Sequence, residues 1–172
     1  MYDEILYPTD GSSGSDAAAE HVREIASAFD ATVHVLYVVD ARHVGFGMSG
    51  DHHSEDGPGL SGAHIVGDEP GMIGERLDAK ETTEALAEQG REFVDRTAAT
   101  FEGIDTRSEV VTGNPHTKIL EYTDENDIDL VVMGTHGRTG VDRYLLGSVT
   151  EKVVRMSDVP VVTVRGDEGD DD

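Results

Sequence analysis

The chain has 172 residues, 36 of them acidic against 13 basic, for a net charge of −23, and it has no cysteine. That length without a long polar linker in either half suits one domain with a proper core, and the missing thiols exclude disulfides, thiolate metal sites and a cysteine nucleophile. The negative field repels phosphate backbones, which argues against a broad DNA- or RNA-binding face, and no stretch approaches the roughly 20 apolar residues that span a bilayer.

The start, MYDEILYPTDG, lacks a basic region followed by an apolar one, which points to an unexported, cytoplasmic protein with no membrane partner. EILYPT (4–9) reads as a short buried strand. The run SGSDAAAEHVREIASAF then sets Ala18, Val22, Ile25 and Phe29 at helical spacing behind a serine cap. ATVHVLYVV (31–39) is a nearly continuous β-branched run, as a strand covered on both faces requires. From Asp40 to Gly74 the chain turns rich in glycine and polar residues and outruns any usual connection, so an insertion of about 40–75 is expected to be a mobile lid or docking loop. From about Glu75 a long helix places Leu86, Phe93, Val94 and Phe101 on one face, with Gly90 as a weak spot. TRSEVVTG is a third strand. NPHTKILEYTDEN gives a helix with Asn114 as cap and Pro115 at its first position. IDLVVMG is a fourth strand, SVTEKVVRMS a short helix and VPVVTVR a fifth strand. The folded domain is therefore expected over 1–166, followed by a disordered acidic tail, 167–172.

Five strands with intervening helices imply a parallel sheet with right-handed crossovers, because parallel neighbours need a helix-length return path. The expected class is α/β: a single doubly wound, Rossmann-like domain with helices on both faces. Lys80, Lys118 and Lys152 are the only lysines against ten arginines, and the acids are spread along the chain. This pattern is similar to that of proteins from salt-loving organisms, where concentrated cations shorten the Debye length to roughly 3 Å at 1 M. On that reading the acidity reports habitat rather than partner.

The stretch GTHGRTGVDRYLLGS (134–148) follows directly on the apolar run IDLVVM. A strand ending in glycine, a loop and a helix opened by Gly147 and Ser148 bring unpaired backbone N–H groups and the positive end of a helix dipole to one spot, which suits an anion. Gly134 and Gly137 let the backbone approach a ligand, and Ser148 adds a hydroxyl. The P-loop pattern and the dinucleotide fingerprint are both absent. The spacing Gly134-x2-Gly137-x9-Gly147-Ser148 resembles the ATP-binding motif of the universal stress protein family, and YPTDGS and VTGNPHTKIL resemble that family's other landmarks. The resemblance covers the chain apart from the insertion and the tail.

The resemblance implies a sheet in the order 3-2-1-4-5, ATP or a related adenine nucleotide at the carboxyl ends of the strands, and a homodimer joined through the last strand. Carried over by position, Pro8, Thr9 and Asp10 would line the ribose or its metal-bound phosphates, with Mg2+ met through Asp10. Val38 or Val39 would offer backbone groups to the adenine edge. Met133, Gly134, His136, Gly137 and Arg138 would wrap the sugar and phosphates; Gly147, Ser148, Val149 and Thr150 would bind the phosphate chain; Gly113 would shape the opposite wall. Plainer roles stay open: Asp10 as a turn or cap residue, the glycines as turn formers, His136 and Arg138 as solvent-facing loop residues. His43, His52, His53 and His64, near Asp51, Glu55 and Asp56, are spaced too irregularly to argue for a metal site.

A valine-rich last strand at a sheet rim invites pairing with another chain, which makes Val161, Val162 and Val164 dimer candidates. No general base stands out, so no catalytic residue is assigned. The nucleotidyl-transfer relatives carry a His-x-Gly-His type signature that is missing here. The expected role is a dimeric, ATP-loaded regulatory module of the stress response with an unidentified protein partner. A slow ATP hydrolase and a nucleotide-free interaction protein stay open as alternatives.

Overall fold

The computed structural model describes residues 1–40, 72–136 and 146–166. The expected mobile insertion (its part 41–71), its histidines, Gly137, Arg138 and the acidic tail lie outside the described residues.

Among the described residues nine elements alternate: β1 (Glu4–Pro8), α1 (Ser13–Phe29), β2 (Thr32–Asp40), α2 (Met72–Ala98), β3 (Thr106–Gly113), α3 (Pro115–Glu125), β4 (Leu130–Gly134), α4 (Ser148–Met156) and β5 (Val161–Val164). The strands form one parallel sheet in the order β3-β2-β1-β4-β5, the doubly wound arrangement expected above. Because side chains alternate along a strand, each strand feeds two cores. Ile5, Tyr7, Val33, Val35, Leu130 and Val132 face α1 and α2, where Ala18, Val22 and Val94 meet them. Leu6, Leu36, Val131 and Met133 face α3 and α4, where Ile119, Tyr122 and Val153 meet them. Strands buried on both faces have no polar side to display, which is why their sequences read as unbroken apolar runs.

Three details differ from the sequence expectation. Phe29 is 41% exposed and packs edge-on against Tyr2, while Ala26 takes the buried place on α1. Phe101 falls beyond the end of α2, yet the turn returns it to the core against Tyr7. Gly90, the supposed weak spot, is a packing notch: a Cβ there would lie 2.9 Å from Tyr37 Cδ1 and 3.2 Å from Val110 Cγ1. The small residue lets α2 come down onto β2 and β3.

Candidate functional site

In this strand order the chain reverses direction between β1 and β4, and in doubly wound sheets ligands favour the crevice outside the carboxyl ends of the strands at such a switch point. Pro8, Thr9 and Asp10 end one wall, and Met133, Gly134 and His136 end the other.

The β1 wall is a tightly bonded turn. Asp10 Oδ1 accepts from Ser12 N at 3.0 Å, so this carboxylate also shapes the turn, and Gly11 sits at φ 74°, a conformation that favours glycine. Ser12 caps α1, its Oγ accepting from Ser15 N at 3.3 Å. Thr9 is buried, its hydroxyl donating to Ser15 Oγ and accepting from Gly11 N. Below them the Tyr7 hydroxyl donates to Ser15 O at 2.7 Å, and burial raises its pKa, so it stays a donor.

The β4 wall meets this turn backbone to backbone. A Cβ on Gly134 would sit 2.6 Å from Gly14 C, and one on Gly14 would sit 2.7 Å from His136 O. Gly134 is thus glycine because α1 begins against it. After β5, Gly166 closes on the same point, 2.9 Å separating its would-be Cβ from Gly14 N. Ser12 Oγ reaches across to His136 O at 3.4 Å. His136 Nδ1 pairs with Thr135 Oγ1 at 3.0 Å, whereas its Nε2 is buried and has no partner among the described residues.

α4 enters from the same side. Thr150 is buried with its hydroxyl donating to Gly134 O at 2.9 Å, and Gly147 N donates to Thr135 O at 2.8 Å. These bonds hold the start of α4 beside the end of β4. α4 starts from a glycine, with no side-chain cap, so the first-turn N–H groups of Ser148, Val149 and Thr150 are left without helical partners. The two helix starts therefore differ: α1 is capped by the Ser12 side chain, and α4 has no such cap among the described residues.

β2 outruns β1. Pro8 pairs with Leu36, Thr9 N donates to Leu36 O at 2.9 Å, and β2 continues to Asp40, which pairs with Gly113 of β3. Leu36 turns its carbonyl toward β1, so Val38, two residues on, presents its main chain to the same side past the end of β1. Val39 points its main chain toward β3 and buries its side chain. Gly113, at φ 153°, packs against the stem of Lys118, whose ammonium is held by Glu121 at 2.6 Å. Asn114 occupies the cap position of α3 but makes no capping bond; Pro115 and the Lys118 N to Asn114 O bond of 3.0 Å start that helix instead. Its Oδ1 is buried without a partner among the described residues.

The structure thus gathers Pro8, Thr9, Asp10, Met133, Gly134, His136, Gly147, Ser148, Val149 and Thr150 around one crevice, with Val38 and Gly113 at the end of its β2–β3 side. Sequence reasoning missed Ser12, Gly14, Ser15, Thr135 and Gly166. The serine- and glycine-rich stretch GSSGS was the available signal for the first three. Among the described residues no group of three or more His, Asp or Glu is arranged to hold a metal, and no helix is long and apolar enough to cross a membrane.

The profile of the universal stress protein family matches residues 1–165. A universal stress protein of Methanocaldococcus jannaschii, MJ0531, is 34% identical over 168 residues, covering 96% of this chain and 83% of the relative. A second from that organism, MJ0577, is 30% identical over 175 residues, covering 96% of each chain. Its solved structure superimposes with a TM-score of 0.75 over 96% of both chains at 27% identity. A universal stress protein solved in complex with cAMP shares the fold, with a TM-score of 0.59 at 21% identity over 96% of this chain and 98% of that one. The chain belongs to the universal stress protein family.

Proposed function

We propose that the protein is an adenine-nucleotide-binding module that holds ATP in the β1/β4 crevice and acts as a dimeric regulator in the stress response. The observation that carries this reading is the pairing of an α4 start without a side-chain cap with the buried Nε2 of His136, which has no partner among the described residues. Unpaired N–H groups at a helix start attract phosphate, and a buried polar nitrogen without a partner calls for one. The cAMP complex of a protein with this fold supports an adenine nucleotide as the guest.

In this arrangement the phosphate chain lies on the amides of Ser148, Val149 and Thr150, with the Ser148 hydroxyl and Gly147 beside it; Gly137 and Arg138, outside the described residues, are assigned to it by the motif alone. Thr150 contributes through its main chain, since its hydroxyl is committed to Gly134 O. Asp10 faces magnesium carried on the phosphates, and Pro8, Thr9, Met133, Gly134 and His136 border the ribose and the first phosphate. Val38, rather than Val39, offers its main chain to the adenine edge, and Gly113 forms the far wall.

The dimer would use β5, a strand of four residues that among the described residues pairs only with β4. Val164 is buried in the chain's own core and Val161 packs under α4, which leaves the β5 main chain and the exposed Val162 for the partner. Val154 and Met156 of α4, 44% and 57% exposed, extend that apolar rim. Chemistry has less support, because among the described residues none is assigned as a base beside the α4 amides, and tight retention with little turnover is the expected behaviour.

A thermal melt in multimolar KCl tests the reading. Mg-ATP at 100 times its dissociation constant adds about 2.7 kcal/mol, enough to raise the midpoint by several degrees. The rise should shrink strongly in His136→Ala. No shift in a parent verified to be free of bound nucleotide removes the ATP reading and favours the interaction protein. Steady ADP release that vanishes in Asp10→Asn establishes the hydrolase instead.

A further inference from the structure

We propose that Ser15 is a positioning residue for the phosphate side of the crevice, acting through Thr9 on the Asp10–Gly11 turn. The inference rests on the nucleotide reading above. Ser15 is 3% exposed. Its Oγ donates to Ser12 O at 2.9 Å and accepts from Thr9 Oγ1 at 3.1 Å. Thr9, 6% exposed, thereby has its proton fixed on Ser15 and its lone pairs turned to Gly11 N at 3.3 Å.

The relay runs from α1 through Thr9 to the amide beneath Asp10. Gly11 is the residue in the left-handed conformation at that turn, so the bond to its N–H fixes the point where the backbone is softest. From there Ser12 N holds Asp10 Oδ1 at 3.0 Å, and Ser12 Oγ reaches the His136 carbonyl on the other wall.

Within α1 the hydroxyl makes one bond, to Ser12 O, and the main-chain bonds of the helix start do not use it. The capping bond uses Ser15 N, the Tyr7 bond uses Ser15 O, and the Asp16 N to Ser12 O bond of 3.0 Å continues without it. Alanine would pack there and has the higher helix propensity. What alanine removes is the acceptor for the buried Thr9 proton. The Thr9 hydroxyl is then left to the neighbouring Tyr7 oxygen and turns toward it, and Gly11 N and Asp10 lose their fixed positions.

The test is calorimetric titration of Mg-ATP and of adenosine into the parent, Ser15→Ala, Thr9→Val, Thr9→Ser and the Ser15→Ala/Thr9→Val double variant. Ser15→Ala should bind Mg-ATP about tenfold more weakly, the worth of one buried hydrogen bond, with adenosine affinity nearly unchanged. The double variant should bind no worse than Thr9→Val alone, because both changes cut one relay, and Thr9→Ser should bind like the parent. Equal losses for Mg-ATP and adenosine, losses that multiply in the double variant, or parent-like binding by Ser15→Ala each overturn the relay while leaving the nucleotide reading intact. A parent that binds neither ligand overturns both.

Discussion

At the scale of single residues, main-chain groups set most of the order at both ends of the sheet. At the end away from the crevice, the Asp129 carboxylate accepts from Asp3 N at 2.8 Å and Glu4 N at 3.1 Å, and these two bonds hold its pKa below the ordinary value. A lowered folded pKa means stability that is present above the unfolded pKa, near 3.8, and is lost as pH falls through the folded value. The side chain is only part-buried, so the effect is modest: Asp129→Ala should cost about 1 kcal/mol at pH 7. Urea titrations from pH 7 to pH 3 should show the gap between parent and variant closing only below about pH 4. A gap that persists unchanged into the acid range would mean that Asp129 acts by packing. Beside it, the buried His34 pairs its Nε2 with Glu4 at 2.6 Å and its Nδ1 with the Tyr122 hydroxyl at 2.9 Å, and burial pushes that phenol up to about 12. The tautomer with the proton on Nε2 satisfies all three groups. Tyr122→Phe should therefore destabilise by about 1–3 kcal/mol by stranding Nδ1, read as a lower urea midpoint with an unchanged slope. A loss under about 0.5 kcal/mol would show that the hydroxyl is dispensable there.

At the scale of elements, the sequence was most legible where one physical requirement governs a whole segment. Val33, Val35 and Val39 announce β2 because a strand covered on both faces has nowhere to put polar groups. Pro115 announces α3 because its fixed φ suits only a first turn. The crevice was legible through its glycines and its Asp10, but their reasons were not. Gly134, Gly14 and Gly166 are small because three chain segments meet there, and nothing local to any of them reveals the other two. The hydroxyls of Ser15 and Thr9 look like surface polarity in a string of letters and become a buried network only when α1 folds back over β1. Gly90 makes the same point in a measurable way. Helix propensity alone says that Gly90→Ala gains about 1 kcal/mol. The Tyr37 ring, itself packed edge-on against Phe93, and the Val110 methyl stand where the new Cβ would go, and overpacking costs about 1–3 kcal/mol. The close approach should win, so the variant should unfold at lower urea than the parent; a gain in stability would show that α2 can lift off the sheet at no cost.

At the scale of the whole molecule, two properties depend on no single residue. The first is association: if β5 is the seam of a dimer, Val162→Arg places a charge on the exposed rim of that strand and should raise the dimer dissociation constant at least tenfold in sedimentation equilibrium, with the melting of the monomer little changed. An unaltered dimer would move the seam elsewhere, and a monomeric parent would remove it. The second is charge. With a net of −23 on one domain, repulsion among like charges opposes the compact state at every distance the solvent does not screen. At 0.1 M salt the Debye length is about 10 Å, comparable to the spacing of neighbouring acids on a helix face such as Glu81, Glu84, Glu88 and Glu92 of α2; at 1 M it is about 3 Å, shorter than that spacing. The described ion pairs on these faces, Arg91 with Glu88 and Arg155 with Glu151, are exposed and contribute little in either condition, so screening them away forfeits almost nothing. Repulsion is removed and little attraction is lost, and the melting midpoint should climb by more than about 5 °C between 0.1 and 2 M KCl. Sucrose at matched osmolality raises stability through exclusion from the surface and leaves the repulsion in place, so it should reproduce only a minor part of that climb. Equal effects of the two solutes would mean that the acidic surface is tolerated by the fold without any need for concentrated cations.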